Sequence, residues 1–341
     1  MGKKSKKIVL VFSLLMCWFT MSSQTQKDSL ESIWVNTTIS DSLRFNAIKD
    51  YYYKNTYNKP EEVISLTEYH YQLAKEKGSV KQMGSALNER SYAYYIKGDL
   101  NTSTEVLQQS ISLYKKINEP KNLAVIQSNI GSIYSEQKKY LMAFNSFNAS
   151  LKIVKELKLK TSEARILIEI AEIYSRLDEL DLAMEYLDES LTICVSKKIS
   201  KDNQIGTIFL KKAEIYYKKK QYNQAIEYSN KAVNEFKNTN NKFDLSKCYM
   251  VLAKANNKLL KKEQALEFTN TSLAINYEID NNSKIIEALL LKSYLLLDSK
   301  PTVAKNQAEE TLKLINSQTS NEIKADLYKL LYLCYKGNNQ P

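Results

Sequence analysis

The stretch NIGSIYSEQKKYLMAFNSFNASLKIVKEL, residues 129–157, decides the fold. Together with the residues just before it, it places Ile126, Ile130 and Ile133 on one helical face. The polar segment SEQKK follows, and then a second set of apolar residues recurs at helical spacing: Ala143, Phe147, Leu151 and Val154. Two amphipathic helices joined by a short polar link form an antiparallel hairpin.

The same pattern returns along the chain, next as EIAEIYSRLDELDLAMEYLDESLTIC at residues 169–194. Small residues recur in three series: Ser91, Gly131, Ala171, Ala213, Ala253 and Ser293; Ala143, Ala183, Ala225 and Ala265; Ser150, Ser190, Ala232 and Ser272. A bulky side chain at these positions would hold neighbouring helices apart. Because one hairpin cannot bury its own apolar stripe, the hairpins are expected to stack.

These series resemble the tetratricopeptide-repeat family, most clearly over residues 121–275. The resemblance implies an all-α fold, a right-handed superhelical solenoid of antiparallel helix pairs, with the first helix of each pair lining the inner surface. The period here is about 40 residues, whereas 34 is usual. We expect the extra residues to lengthen the second helix and the loop between repeats. Such long repeats resemble the sensor regions of bacterial tetratricopeptide regulators.

The pattern predicts a repeat region over residues 41–336, followed by a tail, 337–341. The first pair, 41–78, is degenerate because Tyr51 stands where a small residue is expected. Residues 24–40 lack periodicity and are expected to be an irregular lead-in. The last helix, 321–336, has no partner helix after it. Its apolar run at residues 330–335 is either part of an incomplete repeat or a self-association surface, or the chain is a truncated relative of a longer sensor.

The N-terminus has the order of a secretory signal peptide, predicted at residues 1–23. Four lysines precede the apolar run IVLVFSLLMCWFTM, residues 8–21, and two serines follow it. The run is shorter than the roughly 20 residues that span a bilayer comfortably. We therefore expect a periplasmic or secreted protein. The alternative is a membrane anchor formed by residues 8–21.

Composition argues against catalysis and against cofactor or metal binding. The chain has one histidine, His70, and its seven glycines form no phosphate-binding loop. No calcium-loop or zinc-ligand spacing occurs, and the paired acids are typical of solvated helix faces. His70 is expected to be structural, and Cys194, Cys248 and Cys334 are expected to be small core residues. The formal net charge of +11 raises the question of nucleic acid. Interleaved acidic residues and the signal peptide favour a solvated surface instead.

A helical wheel of the quoted repeat separates the core from a second face. Ile130 and Gly131 fall on the core face, and Ser128, Ser132 and Ser135 fall roughly 140° away. Carried along the repeats, the second face gives the candidate peptide-groove residues: Asn88, Tyr92, Tyr95, Ser128, Ser132, Arg165, Glu172, Arg176, Leu210, Glu214, Tyr217, Lys218, Lys247, Met250, Lys254, Asn257 and Lys258. Ile168 falls on it too. The early half of this face is polar and aromatic, and the later half is basic with apolar residues.

The candidate groove predicts a non-enzymatic scaffold that binds a protein or peptide outside the cytoplasm. An acidic segment of that partner is expected over Lys218, Lys254 and Lys258, with apolar contacts from Leu210, Tyr217 and Met250. The alternative is the extracytoplasmic sensor part of a signalling regulator, of the histidine-kinase or transcription-regulator type, without its output domain.

Overall fold

A computed structural model describes residues 29–197, 203–239, 241–315 and 319–337. Within these ranges the chain is helical apart from short connections, and no strand occurs. The predicted all-α class is therefore confirmed. The predicted signal peptide and the last four residues of the predicted tail lie outside the described ranges.

The helices fall into two compact units, one ending at Leu157 and the other beginning at Lys158. The first unit contains helical residues 29–35 (α1), α2 (Asp41–Asn55), α3 (Pro60–Glu76), α4 (Val80–Ile96), α5 (Leu100–Lys116), α6 (Pro120–Glu136) and α7 (Tyr140–Glu156). The second contains α8 (Lys160–Arg176), α9 (Leu180–Ser196), α10 (Gln204–Lys218), α11 (Tyr222–Thr239), α12 (Lys242–Lys258), α13 (Lys262–Glu278), α14 (Asn282–Leu296), α15 (Pro301–Leu314) and α16 (Asn321–Gly337).

The extra length of the repeat is shared by both helices of a hairpin, which corrects the expectation of a longer second helix and loop. In the quoted repeat, α6 and α7 each have 17 residues. A left-handed residue follows each of the two helices, Lys138 after α6 and Lys158 after α7. Such a residue lets the backbone turn back and satisfy the last helical carbonyls. The backbone N–H of Lys139 donates to the Tyr134 carbonyl at 2.8 Å, which closes α6 in this way.

The recurring small residues lie where the two helices of a hairpin approach closely. All three predicted series are buried. The serines of the third series add a hydrogen bond across the hairpin, because each donates to a first-helix carbonyl 26 residues earlier. These bonds run from Ser150 to Ala124 at 2.6 Å, from Ser190 to Ala164 at 2.8 Å and from Ser272 to Ser246 at 2.9 Å. Ala232, the fourth member of the series, keeps the small size but lacks this donor.

A tyrosine that recurs three residues after the small residue of the first helix packs inside its own hairpin. Tyr174 of α8 stacks on Tyr186 of α9, with ring centroids 5.3 Å apart. The ring centroids of Tyr216 of α10 and Tyr228 of α11 lie 5.1 Å apart, with the rings tilted by 30°. The two rings meet because the second helix of each hairpin also carries a tyrosine.

The first pair is helical although its sequence is degenerate. Residues 29–35, expected to be irregular, are helical, and Trp34 packs among buried residues of α2 and α3. Burial of this one large side chain fixes a segment that is too short for a periodic pattern. His70 is buried, and its Nδ1 lies 3.2 Å from the Tyr52 hydroxyl. Burial lowers the pKa of His70 to about 4, helped by the charge of Lys49, so the ring is neutral.

The last helix, α16, buries one side of its apolar run against α14 and α15. Leu327, Leu330 and Cys334 are buried in one cluster with residues of those helices. Tyr328 and Tyr332 are exposed on the other side. Self-association through residues 322–336 stays a prediction, and the surface available for it is this tyrosine-bearing face. Cys194, Cys248 and Cys334 are buried, as predicted.

Candidate functional site

The first unit has a cavity of about 190 Å³ lined by residues of α4, α5 and α6. Four predicted groove residues line it: Asn88, Tyr92, Tyr95 and Ser132. The Asn129 side chain, which the helical wheel did not predict, also lines it and donates to the Asn88 Oδ1 at 2.9 Å.

The Tyr92 and Tyr95 rings of this cavity are stacked at an interplanar angle of 12°. The Tyr92 hydroxyl donates to the Tyr57 hydroxyl, and burial together with this contact raises the pKa of Tyr92.

Neither Ser128 nor Ser135 is part of the lining of this cavity. Ser128 is half-buried, and its carbonyl accepts from the Ser132 hydroxyl at 3.3 Å. Ser135 is buried, so the prediction that it faces the groove is wrong. The last turn of α6 is covered, and a small residue fits there without reaching solvent.

A second cavity in the first unit, of about 240 Å³, shows that this part of the surface is basic as well as polar. Lys49, Lys81, Gln82 and Asn122 line it with Asn88, and no carboxylate does. Burial lowers the pKa of Lys49, with an opposing effect of Glu89 and a further lowering by Lys81. Lys81 itself is paired with Glu119 at 2.9 Å. Sequence reasoning missed Lys49 because it treated its repeat as degenerate.

The second unit contains a larger cleft, of about 410 Å³. It brings together seven predicted groove residues: Glu172, Glu214, Tyr217, Lys218, Lys247, Met250 and Lys254. Lys211, Lys284 and Glu287 complete its charged lining. Five lysines and three glutamates line the cleft, so it carries an excess of two positive charges. An anionic group of a ligand is therefore favoured there.

One lysine ties two helices together at the cleft. The Lys211 ammonium lies 2.9 Å from Glu172 and 3.2 Å from Glu214. Burial alone would lower the pKa of Lys211, but these two carboxylates raise it overall. Conversely, burial would raise the pKa of Glu172, but Lys211 and Arg176 lower it overall. The neighbouring Glu169 has its pKa raised by burial.

A second charged group lies at the α12–α14 side of the cleft. Glu287 accepts from Lys254 at 2.6 Å and from Lys284 at 2.7 Å. These two lysines outweigh the effect of burial and lower the pKa of Glu287 to about 2. Lys218 donates to the Ser175 carbonyl at 2.6 Å. Lys218 and Lys254, two of the three lysines predicted to contact an acidic segment, thus have partners within the protein. A ligand would share or displace these partners.

The cleft has a polar floor. Asn276 is buried, and its Nδ2 donates to the Ser272 carbonyl at 2.9 Å. The Ser246 hydroxyl donates to the Asn276 Oδ1 at 3.1 Å. The equivalent position in the preceding repeat is Phe236, which is fully buried. Asn276 is smaller than the phenylalanine at this position, and it lines the cleft together with Lys247 and Lys254. A polar residue in an otherwise apolar series was the sequence signal that could have revealed this part of the cleft.

Five predicted groove residues of the second unit lie outside this cleft. Arg165 and Lys258 are exposed, Asn257 is half-buried, and exposed Arg176 donates to Glu172 at 2.9 Å. Leu210 is only 2% exposed and packs in the core, so the prediction that it offers apolar contact is wrong. Ile168 is buried as well. Met250 is 6% exposed, and Tyr217 is the more accessible of the remaining apolar contacts.

Within the described ranges, no group of three or more His, Cys, Asp or Glu side chains is arranged to hold a metal ion. No helix of these ranges is both long enough and apolar enough to cross a bilayer. What the clefts offer chemically is charge-assisted hydrogen bonding, amide donors and a few apolar side chains.

Comparison with known proteins agrees with the repeat architecture. Sequence profiles described as tetratricopeptide repeat match residues 122–194 and 207–238. No curated protein sequence matches the chain.

Several solved structures are similar in fold. A signal transduction ATPase with a tetratricopeptide-repeat sensor from Pyrococcus horikoshii has a TM-score of 0.59 and 17% identity, and the match covers 93% of this chain and 50% of that one. A Rap protein in complex with competence and sporulation factor has a TM-score of 0.58 and 12% identity, covering 86% of each chain. RapI in its apo form has a TM-score of 0.55 and 16% identity, covering 75% and 98%. At these identities the similarity concerns the fold alone.

Proposed function

We propose that this chain, a tetratricopeptide-repeat protein, is a non-catalytic scaffold that binds an extended segment of another polypeptide. The observation that carries the proposal is the second unit's cleft, which combines an excess of positive charge with amide and apolar groups. A structurally similar Rap protein holds a separate factor, which supports a binding role for this architecture.

The bound segment in this proposal is acidic. Its carboxylates would lie near Lys218 and Lys254, and Tyr217 would contact its apolar side chains. Because both lysines already have internal partners, a ligand carboxylate gains less than it would from free lysines. Binding is therefore expected to be moderate in affinity and sensitive to salt, since exposed charge pairs are screened.

The test uses labelled acidic peptides and matched peptides with lysine in place of each acidic residue, measured by fluorescence anisotropy. The acidic series is expected to bind, and Lys218→Glu with Lys254→Glu is expected to weaken binding by about tenfold or more. The control, Lys237→Glu with Lys261→Glu, has the same change of charge at exposed positions outside the cleft. Lys254→Met, which adds no negative charge beside Glu287, separates a binding defect from a folding defect. Equal binding of acidic and basic peptides would contradict the proposal.

We further propose that the scaffold acts outside the cytoplasm. The support is the basic, apolar and polar order of residues 1–23. Mass spectrometry of the N-terminal peptide, after fractionation of native cells, is the direct measurement. A mature N-terminus near residue 24, in the periplasmic or culture fraction, is the expected result. An intact N-terminus in the membrane fraction would favour the anchor at residues 8–21, and an intact one in the cytoplasm would refute both.

The second candidate is the sensor part of a signalling regulator. It is favoured by the similarity to the sensor-bearing Pyrococcus horikoshii ATPase, of which the match covers 50%. Both candidates bind a polypeptide through the same clefts. They differ in whether binding alters a separate output protein.

A further inference from the structure

The first unit has a cavity of a different chemical character from the clefts described above. It has a volume of about 400 Å³ and lies among α1, α2 and α3. Its lining consists of Glu31, Trp34, Val35, Tyr51, Glu62, Ser65, Leu66 and Tyr69. Three aromatic rings and two carboxylates therefore meet at one cavity, and no lysine or arginine is part of its lining.

The aromatic side chains are held in place before any ligand arrives. Trp34 and Tyr51 pack edge to face with ring centroids 5.7 Å apart, and both are almost fully buried. The Tyr69 hydroxyl donates to the Trp34 carbonyl at 3.3 Å, and Arg44 Nε donates to the same carbonyl at 2.8 Å. Tyr69 is 38% exposed, so its ring is the one most accessible to a ligand. Ligand binding would cost little ordering of these groups.

The carboxylates make the cavity electronegative. The Tyr51 hydroxyl donates to Glu62, and burial together with Glu62 and Glu31 raises the pKa of Tyr51. Lys59 approaches Glu62 at 3.6 Å, but both side chains are more than one-third exposed, so this pair is screened by solvent. Glu31 and Glu62 thus place two carboxylates at the cavity.

We propose that this cavity binds an organic cation, an alkylammonium or guanidinium group. A cation beside aromatic rings is attracted by their quadrupoles, and carboxylates at the same cavity add Coulombic attraction. Two sources share this chemistry: a lysine or arginine side chain of a bound peptide, or a free quaternary ammonium compound. The site is separate from the acidic-segment cleft of the second unit, so it stands or falls independently of the function proposed above.

The chain offers a direct optical probe of the site. It contains two tryptophans, Trp18 and Trp34, so the variant Trp18→Phe leaves the cavity residue as the sole tryptophan. The full chain with this substitution is titrated with choline, with acetyl-Gly-Arg-Gly-amide and with 3,3-dimethylbutan-1-ol, the neutral isostere of choline. A saturable change in Trp34 emission is expected with at least one cation and not with the alcohol. Choline alone identifies a small-molecule site, and the arginine peptide alone identifies a side-chain site.

Variants assign the effect to the cavity. Glu62→Gln and Tyr69→Leu are each expected to weaken the cation by about fivefold or more. Tyr53→Leu is the matched control, because Tyr53 lies on α2, is 91% exposed and is not part of the lining. It is expected to change the affinity by less than about twofold. The proposal is overturned if neither cation gives a saturable change, if the alcohol binds equally well, or if the control and Glu62→Gln behave alike.

Discussion

Replacing Gly131 with valine is expected to lower the free energy of unfolding of the first unit by about 3 kcal/mol. A Cβ atom at this position would lie 2.7 Å from Cε1 and 2.8 Å from Cδ1 of Phe147. Phe147 is fully buried, so its ring cannot turn away without displacing other core groups. Valine is a better helix former than glycine, so intrinsic propensity would act in the opposite direction. A measured loss is therefore a packing effect.

The loss is measured by urea unfolding of the Trp18→Phe chain, followed through the emission of Trp34, which lies in the first unit. Ser132→Val is the matched control at the next position of the same helix, where the side chain is half-buried. It is expected to cost less than about 0.5 kcal/mol. If both valines cost the same, close packing at Gly131 is not the cause.

A compensating pair gives a second check on the same contact. In the next repeat the equivalent residues are Ala171 and Leu187, one larger and one smaller than Gly131 and Phe147. Gly131→Ala combined with Phe147→Leu should therefore be more stable than the sum of the two single changes predicts. If the two changes in free energy of unfolding are simply additive, the sizes of the side chains at positions 131 and 147 do not need to be complementary.

The core and the repeat register were predictable from the sequence because burial follows a helical period. Ile126, Ile130 and Ile133 are all buried, as their spacing predicts. The helix ends were less predictable. A left-handed residue follows both helices of the quoted hairpin, and at Lys138 and Lys158 this position has no glycine to reveal it.

The limits of the groove were mispredicted for a geometric reason. The wheel assumes one buried face, whereas α10 contacts α9 and α11 and also reaches α8 and α12. A helix covered from several directions has a buried surface wider than one stripe. Leu210 falls within this wider surface, which explains why it joins the core.

The ion pairs of the cleft could not be predicted from the sequence, because the paired residues are far apart along the chain. Lys254 and Glu287 are 33 residues apart, and they meet only because α14 packs beside α12. The sequence showed a basic stripe on α10 and α12. The structure shows that glutamates neutralise most of the charge of this stripe. The expected affinity for an acidic ligand is therefore lower than the sequence alone suggests.

Replacing Lys211 with methionine is expected to lower the free energy of unfolding by roughly 2–3 kcal/mol at neutral pH. The change leaves Glu172 and Glu214 without the ammonium that both contact, and Glu169 adds a third nearby carboxylate. The cost is below that of a fully buried pair, because the side chains of Lys211 and Glu172 are 26% and 22% exposed. Lys237→Met removes an exposed lysine of α11 and should change stability by less than about 0.5 kcal/mol.

The dependence on pH separates this electrostatic cost from a loss of packing. In the native chain the pKa of Glu172 is lowered, so its contribution to stability is present above the ordinary glutamate pKa and is lost as the pH falls through the lower, folded value. Lys211 has a raised pKa, so its contribution is complete below the ordinary lysine pKa and is lost only at higher, alkaline pH. Without Lys211, Arg176 is the remaining cation that contacts Glu172, so burial is less fully opposed and the pKa of Glu172 should lie above its native, lowered value. Acidification should therefore cost the variant less stability than it costs the native chain.

The stability difference between Lys211→Met and the native chain should consequently shrink by about half between pH 7 and about pH 4.5. Urea midpoints of both chains and of Lys237→Met, taken at the two pH values, measure it. A packing defect would give the same difference at both pH values, because the volume lost with the lysine stem does not depend on protonation. A constant difference would therefore show that Lys211 supports the cleft by its methylene groups and not by its charge.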